Sequence, residues 1–280
     1  MKSYASEFAR DTEFQKLLRR EEEVDLTVVC LELARDRYPD LDFAPTLQWV
    51  ADRGADLARK MAHARDDRSL MDLLRQQLGE EFGLKGTRAA YDTPDGSYLN
   101  RVVEERTGLP ISMSLLYMAV AQSAGISLQG VAAPSHFLSR YDTLDEPIFI
   151  DAFAGGRLLT LSDAVRRVQQ ATDASAAQAR RALLPVGPRP IVLRMLNNLK
   201  ALHARLQDWK SAYQVQRRLT ALQPAVYAER RDLGLVALKS GQPGVALDLL
   251  NQCLSTCPSD ERELLQTQIS EAQRKVARWN

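Results

Sequence analysis

The sequence predicts a mostly helical α+β protein, in which a small antiparallel sheet packs on a buried helix and an all-α tail follows. Three observations carry this. Residues 110–124 form an apolar stretch with almost no polar face, as in a helix buried on all sides. Residues 128–160 hold three or four short strand-like runs separated by turn chemistry. The last third of the chain repeats at an interval of 34 residues, shown by Ala212/Ala246, Trp209/Pro243, Leu199/Leu233 and Pro224/Pro258.

Composition limits the class. The chain has 280 residues, 45% of them hydrophobic and 26% charged, which is globular usage and excludes a disordered, collagenous or disulfide-stapled chain. No apolar run reaches the roughly 18 residues of a membrane span. The first ten residues lack the apolar centre of a signal peptide, so a cytoplasmic protein with no membrane partner is expected. Cys30, Cys253 and Cys257 are odd in number and form no C-x-x-C pair. Neither a disulfide framework nor a zinc site is expected, and no cofactor.

Residues 1–86 read as a helical lead-in. Leu26, Val29, Cys30 and Leu33 follow helical spacing, which places Cys30 on a buried stripe. Pro39 disfavours helix in the residue before it. Leu47, Val50, Leu57 and Met61 mark a second helix, whose polar end carries His63, and Leu70, Leu73, Leu74 and Leu78 mark a third. Turn residues dominate from Thr87 to Ser97, and a short helix runs from Tyr98 to Glu105.

The core is assigned to residues 87–186. Pro110 suits the first turn of the buried helix and Gly125 its C-terminal stop. Strands are predicted at Leu128–Ala133, His136–Tyr141, Pro147–Asp151 and Arg157–Thr160. Helical pattern resumes at Leu161, and Gly187-Pro188-Arg189-Pro190 reads as a boundary. The 34-residue period of 187–280 resembles tetratricopeptide repeats, about two of them with a capping helix. Since roughly three repeats are needed for a self-supporting stack, the tail is expected to lean on the core.

Charge is balanced in total at +1 but unevenly placed. Residues 1–156 carry 18 basic and 26 acidic side chains, and residues 157–280 carry 19 and 10. Opposed fields of this kind draw two parts of a chain together. An alternative use is a basic surface for an acidic partner or nucleic acid. Arg217, Arg218, Arg230 and Arg231, with Arg180 and Arg181, would supply it, although no aromatic stacking platform is interleaved with them.

One constellation could carry chemistry. His136 and Asp151 flank a hairpin centred in the Asp142–Glu146 turn, and symmetric pairing sets them directly opposite, with Cβ atoms about 4.5–5.5 Å apart. A carboxylate there fixes one imidazole nitrogen and leaves the other free. Leu138 and Phe149 share the face.

A buried helix beginning near Ser112, followed by a hairpin with His and Asp, resembles a papain-like or transglutaminase core. The segments Asn100–Ser112, Pro134–Leu138 and Phe149–Gly156 resemble the SirB-type transglutaminase-like proteins, from about Cys30 to Pro258. The resemblance implies a transglutaminase-like fold with a tetratricopeptide tail, in a cytoplasmic bacterial protein of regulatory type. It carries the family's His and Asp onto His136 and Asp151. The nucleophile position falls near Pro110–Ser112, where this chain has no Cys. A thiol beside His at a helix N-terminus becomes a thiolate; a serine hydroxyl needs concerted proton removal and an oxyanion hole.

Three functions follow. The first is a non-catalytic pseudoenzyme that binds a protein or peptide. The second is a serine-dependent acyl transferase or hydrolase using Ser112, His136 and Asp151, with Ser114 as substitute nucleophile. The third is nucleic-acid contact through the basic tail.

Overall fold

The computed structural model describes residues 4–134 and 136–278. Ser135, within one motif of the resemblance, lies outside the described residues, as do residues 1–3. The helical lead-in comprises α1 (Tyr4–Glu7), α2 (Thr12–Arg19), α3 (Leu26–Ala34), α4 (Ala44–Met61) and α5 (Asp67–Arg75). Asp25 caps α3 by accepting from the N–H groups of Thr27 and Val28, which have no partner inside the helix. Asp66 and Ser69 form a reciprocal capping box at the start of α5. A π-helical turn, Gln76–Glu81, continues α5.

After two short 3₁₀ turns come α6 (Leu99–Glu105) and α7 (Pro110–Ser123). The apolar helix α7 is buried at every position from Pro110 to Tyr117 and again at Ala119–Ala121. It is the centre of the core, because α3, α4, α6 and the sheet all pack on it. Gly125, at φ +85°, ends it in a conformation that favours glycine.

Four antiparallel strands follow in sequence order: β1 (Gln129–Val131), β2 (Leu138–Tyr141), β3 (Ile148–Asp151) and β4 (Arg157–Leu159). Two helices close the core, α8 (Leu161–Ala171) and α9 (Ala176–Ala182). Thr160, the expected last residue of β4, instead caps α8 in a box with Asp163. The alternation of the strands places Ile150 and Ser139 toward α7, while Leu138, Phe149 and Leu159 join Ala164, Val165 and Val168 of α8. The sheet is therefore covered on both faces.

The remaining helices are α10 (Pro188–Arg205), α11 (Trp209–Leu222), α12 (Tyr227–Lys239), α13 (Pro243–Cys253) and α14 (Arg262–Ala277). The chain forms two compact units, one of residues 10–195 and one joining the stretch up to Ala9 with Leu196 onward. The lead-in from Arg10 thus belongs to the same unit as the sheet. The division falls inside α10 rather than at the Gly187–Pro190 boundary, because Ile191 and Met195 are buried in the α7 core. In the second unit the 34-residue interval maps helix onto helix. Trp209 and Pro243 open α11 and α13, and Ala212 and Ala246 are buried where small residues let helices approach.

Tyr117 of α7 is fully buried, and its hydroxyl has no hydrogen-bond partner among the described residues. It lies beneath Gly156, where an added Cβ would stand 2.7 Å from the phenol oxygen. That approach and a φ of +82° both require glycine at 156. Leu116→Ala should cost ~2–5 kcal/mol in denaturant unfolding, the cost of a cavity in a packed core. Tyr117→Phe should leave stability unchanged or raise it by about 1 kcal/mol, since it removes a buried polar group that pairs with nothing.

Candidate functional site

His136 and Asp151 meet: Nε2 of the imidazole lies 2.8 Å from Oδ1 of the carboxylate. They do not meet by direct pairing. The ladder sets Tyr141 against Ile148 and Ser139 against Ile150, so the register runs two residues away from the symmetric one. Strand β2 accordingly begins at Leu138, not His136, and His136 reaches Asp151 diagonally from the loop before it. A slip of two keeps both side chains on the face they were assigned, because strand side chains alternate with period two. The long imidazole spans the extra distance.

The sequence also determines how Asp151 is held. As the last residue of β3 it caps the 3₁₀ turn Ala152–Ala154, accepting the Ala154 N–H at Oδ1, 3.2 Å. Gly155 and Gly156, both at positive φ, then return the chain into β4. Oδ2 accepts from Arg167 Nη1 at 2.6 Å. Asp151 is 0% exposed and the His136 side chain 13%. Burial pushes the Asp151 carboxyl up, but the hydrogen bond and charge of His136, the charge of Arg167 and the Ala154 N–H outweigh it, leaving the group below its ordinary value of 3.8.

Arg194 fixes the loop that carries the imidazole, donating from Nη1 to the Ala133 carbonyl at 2.9 Å and from Nη2 to the His136 carbonyl at 3.1 Å. The Phe153 ring stands edge-on to His136 with centroids 6.3 Å apart, and Tyr91 stands edge-on to Phe153 at 5.9 Å. A cavity of about 170 Å³ beside the imidazole is lined by Pro134, Leu138, Ala164, Arg167 and Val168. Sequence reasoning missed Arg167 and Arg194. Arg167 had a signal: three residues after Ala164 and four before Ala171, it is a cation beside the apolar stripe of α8.

The hydroxyls are placed differently. Ser112 is fully buried, and its Oγ is 2.5 Å from the Gly96 carbonyl and 3.0 Å from that of Leu109. Ser114, also buried, donates to the Phe137 carbonyl at 3.4 Å. Neither hydroxyl hydrogen-bonds to His136 among the described residues. Cys30 packs in the core with its Sγ 3.7 Å from Met195 Sδ, and burial drives its thiol pKa far up. Cys253 and Cys257 lie in the second unit.

The four arginines of the tail are engaged within the second unit. Arg217 bonds to Glu7 and Gln214, and the buried Arg218 lies over the Phe8 ring. Arg230 donates to the Pro224 carbonyl and Thr256, and Arg231 to Asp232 and Glu261. Their side chains tie helices together rather than forming an open basic strip.

Comparison with known proteins adds the family. A model described as the transglutaminase-like superfamily matches residues 46–197, which is more than half of the chain, and a tetratricopeptide-repeat model matches residues 199–272. The chain belongs to the transglutaminase-like superfamily. A relative from Xylella fastidiosa, named UPF0162 protein, is 32% identical over 246 residues, covering 85% of this chain and 86% of its own. Protein SirB1 of Salmonella typhimurium is 25% identical over 212 residues, covering 73% and 76%. F-box only protein 21 of Mus musculus is 33% identical over 175 residues, 60% of this chain but 27% of its own length. No solved structure matches the chain significantly. The resemblance to SirB-type proteins is thus borne out. Among the described residues no helix is long and apolar enough to cross a membrane.

The depressed Asp151 pKa fixes a pH dependence. A carboxyl with a folded pKa below its unfolded one adds stability above the unfolded value and loses it as pH falls through the folded value. Stability should therefore fall below about pH 3.8, the ordinary value. Asp151→Asn should flatten that acid limb and cost roughly 1–3 kcal/mol at neutral pH, read by urea unfolding across pH.

Proposed function

We infer that the chain is a non-catalytic member of its superfamily, a cytoplasmic regulatory protein that acts by binding a protein or peptide. The observation that carries this reading is the bond of Ser112 Oγ to the Gly96 carbonyl. A hydroxyl committed to a carbonyl acceptor cannot also give its proton to an imidazole, and a nucleophile must be within hydrogen-bond reach of its base. The His136–Asp151 pair retains the orienting half of a hydrolytic centre without the attacking atom.

The binding role is supported by the repeat tail. A groove of about 320 Å³ runs over α10, α12 and α14, with Trp209, Leu235, Val236 and Leu264 as apolar surface and Lys200, Lys239 and Asp232 as polar rim. Leu264 is 61% exposed, an apolar side chain left in water that a partner's side chain would cover with gain. Lys239 lies 4.2 Å above the Trp209 ring, a cation held where a peptide carboxylate would meet it. Apolar anchors within a charged rim suit a peptide with one buried side chain.

Two measurements test this. A serine-directed fluorophosphonate should leave the protein unlabelled; labelling that disappears in Ser112→Ala and in His136→Ala would overturn the non-catalytic reading. Peptides selected on the full-length protein from a displayed library should lose at least about tenfold in affinity on Leu264→Glu. Unchanged binding by that variant would move the binding role away from the tail.

A further inference from the structure

A third surface, separate from the His136 cavity and the tail groove, borders the free edge of the sheet. Strand β4 ends the order β1-β2-β3-β4 and has one neighbour, β3. Among the described residues, the backbone of Arg157, Leu158 and Leu159 makes no hydrogen bond outside that ladder. Beside this edge runs a groove of about 730 Å³ between β4 and α5, lined by Arg68, Asp72, Arg75, Gly155, Arg157 and Leu158. A sheet edge that opens onto a trough is the geometry in which an extended segment adds as a further strand.

The charges decide what kind of segment. Both carboxylates of the groove are already committed. Asp66 accepts the Ser69 N–H at 2.7 Å as the cap of α5, and Asp72 pairs with Arg75 Nε at 2.6 Å and with Gln76 at 2.8 Å. Arg75 is further held by Glu80 at 2.5 Å. Arg68 and Arg157 are exposed and hold no salt bridge among the described residues, although the charge of Arg68 helps to hold the Asp66 carboxyl low. The trough therefore sets Arg68, Arg75 and Arg157 against Asp66 and Asp72, a surplus of positive charge, with Arg157 the guanidinium farthest from being balanced. Because Arg157 stands in the edge strand itself, a carboxylate across from it on an added strand would be its cross-strand neighbour. Arg68 faces the trough from the opposite wall, on α5.

We propose that the trough between β4 and α5 binds an extended acidic segment of a partner protein by strand addition, with Arg157 and Arg68 taking its carboxylates. Main-chain hydrogen bonds to the β4 edge supply register, and the two arginines supply the preference for acidic side chains. The flanking loop is preorganised for this. Gly155 and Gly156 hold positive φ, and Gly79 packs so closely on the Gly155 carbonyl that an added Cβ would stand 2.1 Å from it.

The test uses the full-length protein with two fluorescein-labelled hexapeptides, one alternating Val and Glu and the other alternating Val and Lys. The Val–Glu peptide should bind saturably below about 1 mM, more weakly as salt rises, and the Val–Lys peptide should not. Arg68→Glu combined with Arg157→Glu should weaken the Val–Glu peptide at least about tenfold with the melting temperature unchanged, since both side chains are exposed. Hydrogen exchange with the peptide bound should slow at residues 157–159. No saturable binding, binding indifferent to the charge reversal, or protection confined to α10–α14 would each overturn the proposal.

Discussion

A carboxylate that no water reaches must find its donors inside the protein, and Asp151 organises the candidate site for that reason. An isolated buried carboxylate costs several kcal/mol and would take up a proton instead. Three donors from three parts of the chain prevent this: the imidazole of the loop before β2, the N–H of the turn after β3, and the guanidinium of α8. Loss of any one would leave the other two sharing an under-compensated charge. The ribbon, its closing turn and the helix on its outer face are thus tied through one side chain, and the direction of the His136 ring is a consequence.

On the non-catalytic reading proposed above, that arrangement gives the His136–Asp151 pair a reason to be kept. The orienting pair has a structural role of its own, in the cohesion of the sheet end, which does not depend on a nucleophile. The N-terminus of α7 likewise has a second role. Ser112 gives its one hydroxyl proton to the Gly96 carbonyl, with that of Leu109 also in reach, where the chain enters the buried helix α7. Side chains at both halves of the candidate centre are thus held by packing and hydrogen bonds.

Much of this was legible in the amino-acid sequence because it rests on local pattern. The all-apolar run of α7 announced burial, Pro110 and Gly125 its ends, and the 34-residue interval the paired helices of the tail. The meeting of His136 and Asp151 was legible for a weaker reason. The ribbon is two residues out of the symmetric register, yet period two preserves the face and a long side chain closes the gap. A shift of one residue would have separated them. Ser112 was not legible, since what its hydroxyl bonds to is decided by the carbonyl of Gly96, sixteen residues away in a 3₁₀ turn. The partners of the tail's paired arginines were not legible for the same reason: Arg217 finds Glu7 at a separation of 210 residues, and no local pattern registers such a partner.

The candidate site depends most on the tautomer that Asp151 imposes on His136. Long-range proton–nitrogen correlation NMR on protein labelled with nitrogen-15 at histidine reads it directly. At a pH where the ring is neutral, His136 should carry its proton on Nε2, donated to the carboxylate, with Nδ1 bare. A His136 ring protonated on Nδ1 alone would contradict the account, because the carboxylate would then hold no proton donor from the imidazole.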